Sequence, residues 1–495
     1  MFAYGPLKGQ ETGFIISKLL DSKTKEPVPF AHVLIKNKAR GLATNLDGAF
    51  RIPVRYKSMK DTLVISCIGY HTREVALHDF SLNIVNEIYL VEQTQMLGDL
   101  TIVAKKRRKR YSPEQVIQLA IDNIPENYPV EPFSYIGYYR DYQIKKQTYV
   151  NLNEAILKVY DYGFDTLDVK GTQTRIVQYS SNTNFPVDSL SSLAYDYSGF
   201  RKIVPNGQIS SMGGNEYMLL RIHDAIRNYN TGSFDYVKRF DEHFIDFHEF
   251  KFLDETSINE VPLYKIKVYK NIIGFIASGM IYISKGDFKI YKLAYSVYNK
   301  LKASQVFEVV VEYEPHNNKM YPSYISFNNT FKVLQNPRFY LLDAKYTSER
   351  DNLFSLDRIT LEFNNEPLRE KALNRRNYIL KYNGHRLRIR QTKQVDNVVT
   401  LTMEDNLPFS DVHFDRSLLS LELRNFKDVF GNRYNEGHYE DYIQYREMFV
   451  QELMDGFNKP SDNLYMRKMQ PIFDDQPIAP LENLKDYWLN TPLQN

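Results

Sequence analysis

Residues 26–50 have the sequence EPVPFAHVLIKNKARGLATNLDGAF, in which apolar segments alternate with turn residues. Phe30 to Ile35 has the aromatic and β-branched residues of a strand. Asn45-Leu46-Asp47-Gly48 has the residues that tight turns tolerate, and Ala49 to Ile52 then alternates apolar and polar side chains. Similar short segments recur from Gly13 to about Val91. Short strands at regular spacing, separated by turns, predict a small β-sandwich.

The 495 residues of the chain are too many for one hydrophobic core, because cores stop growing near ~250–300 residues. Two or three domains are therefore expected. The chain contains 38 tyrosines and 30 phenylalanines, which favour strands over helices. No apolar run approaches the ~18–20 residues that a membrane-spanning helix needs. The net charge of +3 gives no electrostatic case for a nucleic-acid partner.

A basic junction is predicted at residues 96–110, after the sandwich. It contains the run Lys105-Lys106-Arg107-Arg108-Lys109-Arg110. Six like charges in a row repel one another and should stay solvated. The run therefore predicts a linker, and contact with an anionic membrane surface or lipid head groups is the alternative.

The longest part of the chain, residues 111–365, is predicted to be an antiparallel β domain that a helix opens. Ser112 is a good N-cap, and Pro113 suits the first helical position. From Phe133 onwards, segments such as Pro262 to Tyr269 alternate apolar and polar residues with period two. Short turns between these segments indicate an antiparallel, half-barrel-like sheet with one apolar face.

The C-terminal extension, residues 366–495, has no clear pattern of apolar and polar residues, so most of its secondary structure is not predicted. Arg369 to Leu380 and Tyr439 to Phe457 are candidate helices. Pro471 to Asn495 is polar and contains prolines, so an extended tail is predicted there. The fold class is therefore mainly β, with a sandwich at residues 12–95, a larger antiparallel sheet and a mixed C-terminal region.

Four stretches near the N-terminus stand in a distinctive order. They are Gly13-Phe14-Ile15-Ile16, Glu26 to Val33, Ala43 to Phe50, and Val64-Ile65-Ser66-Cys67-Ile68-Gly69-Tyr70. With this spacing they resemble the carboxypeptidase-regulatory-like domain, a seven-stranded, transthyretin-like sandwich. The resemblance implies an accessory fold without peptidase residues, so it implies no enzymatic activity.

Two further regions point to one group of bacteria. Leu97 to Ala104 is similar to the segment that follows this domain in TonB-dependent outer-membrane proteins of Bacteroidota. Residues 111–360, with Ile124 to Pro129 and Gly137-Tyr138-Tyr139-Arg140, look like the second half of Bacteroidota envelope proteins. These resemblances imply export to the periplasm or the outer membrane. Met1 to Gln10 shows no signal peptide, which a processed or differently started chain would explain.

Motifs of common enzymes are absent from the sequence, including the His-Glu-x-x-His zinc motif and the Gly-x-Ser-x-Gly elbow. The best catalytic candidate is Asp241 to Glu249, which holds two histidines and four carboxylates. On a strand, Asp246 and His248 would share a face and could supply two metal ligands. A solvated strand without a metal is the preferred interpretation, and no cofactor is expected. His32 is expected to pack or hydrogen-bond, and Cys67 to be a core residue.

A row of tyrosines on adjacent strands is the remaining functional signal. The predicted partner surface consists of Tyr282, Tyr291, Tyr295 and Tyr298. Such side chains can bind sugars, peptides or a protein, although they more often only cover a sheet. The sequence thus predicts a non-catalytic envelope binding or scaffolding protein. The sandwich would be an adaptor, and the larger sheet a platform for an envelope protein, an apolar ligand or a glycan. The alternative is a metal-dependent hydrolase centred on Asp246 and His248.

Overall fold

The computed structural model describes most of the chain. The described residues are 13–38, 40–93, 111–192, 215–229, 242–351, 354–404, 414–472 and 474–493. The basic run Lys105 to Arg110 lies outside these ranges. The chain forms two compact units, one from Met1–Phe331 with Tyr442–Asn495 and one from Lys332–Asp441. The predicted boundary after residue 365 falls inside the second unit.

The N-terminal sandwich has the predicted seven strands among the described residues. They are β1 (Phe14–Asp21), β2 (His32–Ile35), β3 (Arg40–Ala43), β4 (Ala49–Pro53), β5 (Thr62–Ser66), β6 (Arg73–Ala76) and β7 (Asn86–Leu90). The two sheets have the orders β4-β1-β7 and β3-β2-β5-β6. A helix, α1 (Val54–Ser58), and a 3₁₀ turn, Leu77–Asp79, also belong to this domain.

The turn that ends at Gly48 fixes the approach of β4 to β1. Asn45 Oδ1 accepts hydrogen bonds from the backbone N–H groups of Asp47 and Ala49, at 3.0 and 2.7 Å. Gly48 has φ +68°, and a Cβ there would lie 2.4 Å from the carbonyl oxygen of Leu19. Only glycine therefore fits this position.

The described residues of the next part of the chain, 111–335, form five helices and ten strands. The helices are α2 (Pro113–Asp122), α3 (Ile124–Asn127), α4 (Asp168–Gly171), α5 (Glu216–Ile222) and α6 (Glu242–Phe247). The strands are β8 (Phe133–Lys145), β9 (Thr148–Asp161), β10 (Gln173–Ser181), β11 (Glu249–Phe252), β12 (Thr256–Ile258), β13 (Val261–Ile272), β14 (Phe275–Ser284), β15 (Ile290–Asn299), β16 (Ser304–His316) and β17 (Lys319–Gln335). The opening helix has the predicted N-terminus, because Ser112 and Gln115 form a capping box.

The second unit follows β17 and has its own core, which includes Ile359, Leu380 and Leu401. Its elements are β18 (Leu341–Asp351), β19 (Phe354–Phe363), α7 (Arg369–Ala372), β20 (Tyr378–Tyr382), β21 (His385–Leu387), β22 (Ile389–Val395), β23 (Val398–Met403) and β24 (Leu419–Leu423), with 3₁₀ turns at Arg375–Asn377 and Arg416–Leu418. Two sheets have the orders β18-β19-β23-β22 and β21-β20-β24. The helix predicted from Arg369 to Leu380 is therefore wrong beyond its first turn.

The last strand, β25 (His438–Met454), returns the chain to the first unit. It lies between β8 and β17, in the order β10-β9-β8-β25-β17-β16-β15-β14-β13-β11, with β12 paired to β13. The predicted helix at Tyr439 to Phe457 is wrong, because alternate residues of this segment face the two sides of an eleven-stranded sheet. The predicted antiparallel sheet itself is confirmed.

Both faces of the large sheet are covered over much of their area. One face packs against the helices, with Val116 of α2, Leu220 of α5 and Phe244 of α6 in the same core as the sheet. On the other face, Ala43 of the sandwich and Tyr487 near the C-terminus pack against the sheet. Among the described residues, no helix is long and apolar enough to cross a membrane.

The predicted C-terminal tail is extended, but it packs against the rest of the first unit. Apart from a 3₁₀ turn at Leu484–Asp486, its described residues form no helix or named strand. Ile472 belongs to the core of the large sheet, and Trp488 belongs to the core of the sandwich. We name residues 487–493 the strap, because Trp488 lies in the sandwich core and Tyr487 packs against the large sheet.

Candidate functional site

The structure gives no support to the alternative metal pair of Asp246 and His248. Residues Glu242–Phe247 are helical, so the strand interpretation of this segment is wrong. Asp246 is exposed, whereas His248 is buried and lies 2.8 Å from the Tyr295 hydroxyl through Nε2. The two side chains therefore point apart. No group of three His, Cys, Asp or Glu in the described part of the chain is placed to hold a metal ion.

The four predicted tyrosines do not form one row. Tyr291 and Tyr295 lie on the face of β15 that packs into the core, and Tyr295 is 0% exposed. Tyr282 pairs with Lys292, on the opposite face of the sheet, and is half-buried. Tyr298 remains at the surface with 42% exposure. Successive strand residues face opposite sides of a sheet, which explains why the four tyrosines do not share one face.

A buried charge cluster joins the sandwich to the large sheet. His32 Nε2 lies 2.8 Å from Glu312 Oε2, and His32 Nδ1 contacts Glu314. Lys292 also pairs with Glu312. Burial alone would lower the His32 pKa, but Glu314 and Glu312 raise this pKa to about 10. Burial opposes ionisation of Glu312 as well, yet Lys292 and His32 lower its pKa to about 2.

We expect the stabilising effect of His32 to depend on pH. A histidine whose pKa rises from 6.5 to about 10 on folding stabilises fully below pH 6.5, and this stabilisation is lost as the pH rises through 10. Urea unfolding at several pH values should therefore show the largest loss for His32→Gln near pH 6. The loss should shrink towards pH 10 if the cluster acts as described.

The control for this measurement is His71→Gln, at an exposed position of the sandwich. Three neighbouring groups have pKa values shifted away from this window: the pKa of Glu312 is lowered to about 2, that of Lys292 is raised and that of Cys67 is raised to about 12. A difference between wild type and His32→Gln that stays constant from pH 6 to pH 10 would show that folding does not raise the pKa of His32.

The strap forms a second set of contacts between the sandwich and the large sheet. Trp488 inserts into the sandwich core, and its Nε1 donates to the carbonyl oxygen of Arg51 at 2.8 Å. Asn490 Oδ1 accepts from the Arg51 backbone N–H at 2.9 Å, and its carbonyl oxygen accepts from Arg140 Nη1 at 3.3 Å. The strap thus binds the sandwich and β8 together. The sandwich and the large sheet form one compact unit rather than two loosely linked domains.

Two hairpin tips of the large sheet lie side by side at its surface. The β13–β14 hairpin turns at Ile273 and Gly274, and the β15–β16 hairpin turns beyond Asn299. The Lys300 backbone N–H donates to the carbonyl oxygen of Gly274 at 2.9 Å. Asn299 Oδ1 accepts from the backbone N–H of Leu301 at 3.0 Å, which shapes the second tip. The two turns are therefore held in register with each other.

The tips expose aliphatic side chains, and lysines lie close to them in the sequence. Ile273 is 100% exposed and Leu301 is 91% exposed. Tyr298, which is 42% exposed, is on β15 just before the second turn. We name the set of these three residues with two lysines the tip patch: Ile273, Tyr298, Leu301, Lys300 and Lys302. No Asp or Glu occurs from Val261 to Gly286 or from Phe288 to Phe307.

The tip patch can bind but offers no catalytic constellation. Scattered exposed aliphatic residues are ordinary, but two nearly fully exposed ones on adjoining tips form a local apolar contact surface. The lysines add positive charge, with long stems that can lie along apolar material. Of the predicted tyrosines, only Tyr298 belongs to this surface. The remaining residues of the tip patch could have been found from the sequence. Hairpin turns are usually polar, but Ile272-Ile273-Gly274 and Lys300-Leu301-Lys302 place an apolar residue in the turn.

Comparison with known proteins assigns the N-terminal domain. Residues 17–102 match the family model described as CarboxypepD_reg-like domain, which confirms the resemblance of the sandwich. The match leaves most of the chain unassigned. No curated protein matches the chain.

Solved structures show only distant likeness. A putative outer membrane lipoprotein-sorting protein domain from Vibrio parahaemolyticus is 11% identical, with 44% of this chain and 86% of that chain covered and a TM-score of 0.24. A LolA superfamily protein from Nitrosomonas europaea has the same identity and coverage and a TM-score of 0.18. A DUF1329 family protein from Desulfovibrio piger is 9% identical, with 63% of this chain and 100% of that chain covered and a TM-score of 0.20. Scores this low carry no functional argument.

Proposed function

We propose that this protein is a non-catalytic binding and scaffolding protein of the cell envelope that docks on an anionic membrane surface through the tip patch. The large sheet is the docking platform, and the sandwich is an adaptor held rigidly on that sheet. The proposal includes the predicted periplasmic or outer-membrane-associated location and an envelope protein as the partner of the sandwich.

The observation that carries the proposal is the exposure of Ile273 and Leu301 on two hairpin tips whose own segments carry lysines and no Asp or Glu. Burying an Ile or Leu side chain is worth roughly 1.5–3 kcal/mol. A lysine near an anionic leaflet adds about 1 kcal/mol. Together these contributions support reversible attachment of a folded protein to lipid.

The packing of the large sheet supports the choice of its hairpin ends as the platform. The helices fill one face, and the sandwich and strap cover part of the other face. The tips remain open to solvent. The alternative, a hydrolase centred on Asp246 and His248, loses its geometric basis because one side chain is exposed and the other is buried against Tyr295.

Co-sedimentation with vesicles tests the proposal. Wild-type protein should pellet with phosphatidylcholine vesicles that contain phosphatidylglycerol, and added salt should release part of it because the lysine contribution is screened. Ile273→Asp with Leu301→Asp should weaken binding about 100-fold or more, since each substitution removes roughly 1.5–3 kcal/mol of apolar burial. Thermal unfolding should change little, because both residues are at the surface.

The matched control is Val187→Asp with Met469→Asp, which adds the same charges at two other exposed apolar positions, 74% and 73% accessible. It should bind vesicles nearly as wild type does. Wild-type protein that fails to pellet at low salt would contradict the proposal. So would equal losses in the tip variant and the control.

A further inference from the structure

The second unit contains an unusually basic segment. Residues 371–393 hold eight lysines and arginines and no aspartate or glutamate. The segment forms the end of α7, the strands β20 and β21, and most of β22. The unit therefore concentrates positive charge on one stretch, although the whole chain is nearly neutral.

Three arginines of this segment occupy alternate, exposed positions. Arg386, Arg388 and Arg390 are exposed, whereas Leu387 and Ile389 between them pack against the core of the unit. We name these three residues the arginine row. Arg386 lies on β21, Arg390 lies at a bulge of β22, and Arg388 lies between these two strands, which belong to different sheets. In an extended chain, alternate residues are about 6.6–6.8 Å apart.

Further cations flank both ends of the arginine row. Lys381 of β20 is paired directly with Arg386 of β21. At the other end, Arg375 Nη1 donates to the carbonyl oxygen of Arg390 at 3.3 Å. Like charges opposite each other on a sheet are destabilising. Arg388 has Glu404 at 3.7 Å, while no ion pair within the described residues holds Arg386 or Arg390.

We propose that the arginine row binds an acidic polypeptide segment in extended conformation. An extended chain repeats every two residues over the same ~6.6–6.8 Å, so alternate carboxylates of the partner meet successive guanidinium groups. Arginine binds carboxylates through two parallel hydrogen bonds, which suits this pairing. The partner would also relieve the repulsion within the row.

Other polyanions fit this surface less well. Single-stranded nucleic acid binds through aromatic side chains that stack on bases, and Tyr382 beside the row is half-buried. A lipid surface favours apolar side chains next to the cations, but the residues that alternate with the arginines point into the core. The geometry therefore favours an acidic peptide. The arginine row belongs to the second unit, whereas the tip patch belongs to the first.

Fluorescence anisotropy of a labelled peptide of alternating glutamate and serine tests the proposal with the full chain. Wild-type protein should bind the peptide at low salt, and salt should weaken the binding. The variant with Arg386→Gln, Arg388→Gln and Arg390→Gln should bind about 10- to 100-fold more weakly, from three lost surface ion pairs. The lysine variant at the same positions should retain part of the affinity.

The control variant carries Lys23→Gln, Lys60→Gln and Lys251→Gln, three exposed positions that remove the same net charge. It should bind the peptide within about twofold of wild type, since screened charges elsewhere contribute little. Absence of wild-type binding, or an equal loss in the control, would overturn the proposal. Tighter binding of oligothymidylate or phosphatidylglycerol vesicles through the same arginines would overturn the choice of ligand.

Discussion

Replacing Trp488 with alanine is expected to lower the free energy of unfolding by about 3–5 kcal/mol, the usual cost of removing a buried aromatic side chain. Trp488 is the single tryptophan, and it is buried in the core of a domain more than 390 residues away in sequence. Its ring centroid lies 5.7 Å from that of Tyr56, and its Nε1 hydrogen bond to Arg51 would also be lost.

Urea unfolding monitored by circular dichroism measures this effect. Lys485→Ala is the control, because Lys485 is exposed three residues before Trp488 and should change stability by about 0.5 kcal/mol or less. If Trp488→Ala costs no more than the control, the strap does not complete the sandwich core. The sandwich predicted at residues 12–95 would then be complete without the strap.

Replacing Glu447 with leucine is the second change with a large expected effect, about 3–5 kcal/mol, because it leaves a buried arginine without its counter-ion. Arg140 Nε and Glu447 Oε2 are 2.5 Å apart, and both side chains are 0% exposed. Tyr324 and Tyr142 donate to the same carboxylate at 2.9 and 3.1 Å. Two hydroxyl groups would therefore lose their acceptor as well.

The double variant Arg140→Met with Glu447→Leu distinguishes the interaction between the two charges from the interactions that each side chain makes with its other neighbours. Replacing both members of a buried ion pair by apolar residues removes the uncompensated charge, so the double variant should be more stable than Glu447→Leu alone. Equilibrium unfolding of the four proteins gives the coupling energy. A double variant whose loss equals the sum of the two single losses would show that the charges do not interact.

Features encoded by neighbouring residues were predictable from the sequence. The turn at Gly48, the capping box at Ser112 and the alternating strand at Pro262 to Tyr269 depend on residues close together in the chain. The sandwich could be predicted because such signals recur at regular spacing. These elements need no information about distant partners.

Features that depend on distant partners were not predictable. The strand β25 carries Arg446 and Glu447 in its buried centre, where Glu216 and Arg140, far away in sequence, form ion pairs with them. These partners cannot be identified from the residues next to Arg446 and Glu447, and the segment was a candidate helix. The insertion of Trp488 into the sandwich likewise cannot be predicted from the residues next to it in the sequence.

The candidate site was predicted in part. Tyr298 was identified as a surface residue, but Tyr291 and Tyr295 face the core because the sheet is packed on that side by helices. The positions of Ile273 and Leu301 at adjoining turns depend on strand register, which fixes which hairpin ends meet.

Insertion of the tips into lipid is the central claim, and a fluorophore at position 301 tests it most directly. Leu301→Cys is labelled with an environment-sensitive dye, and Lys23→Cys is labelled as the control on the sandwich. The native Cys67 should remain unlabelled, because burial raises the pKa of its thiol to about 12. Phosphatidylglycerol vesicles should shift the emission at 301 to the blue, and brominated lipid should quench it, with neither change at 23. An unchanged spectrum at 301, or equal changes at both positions, would contradict docking through the tip patch.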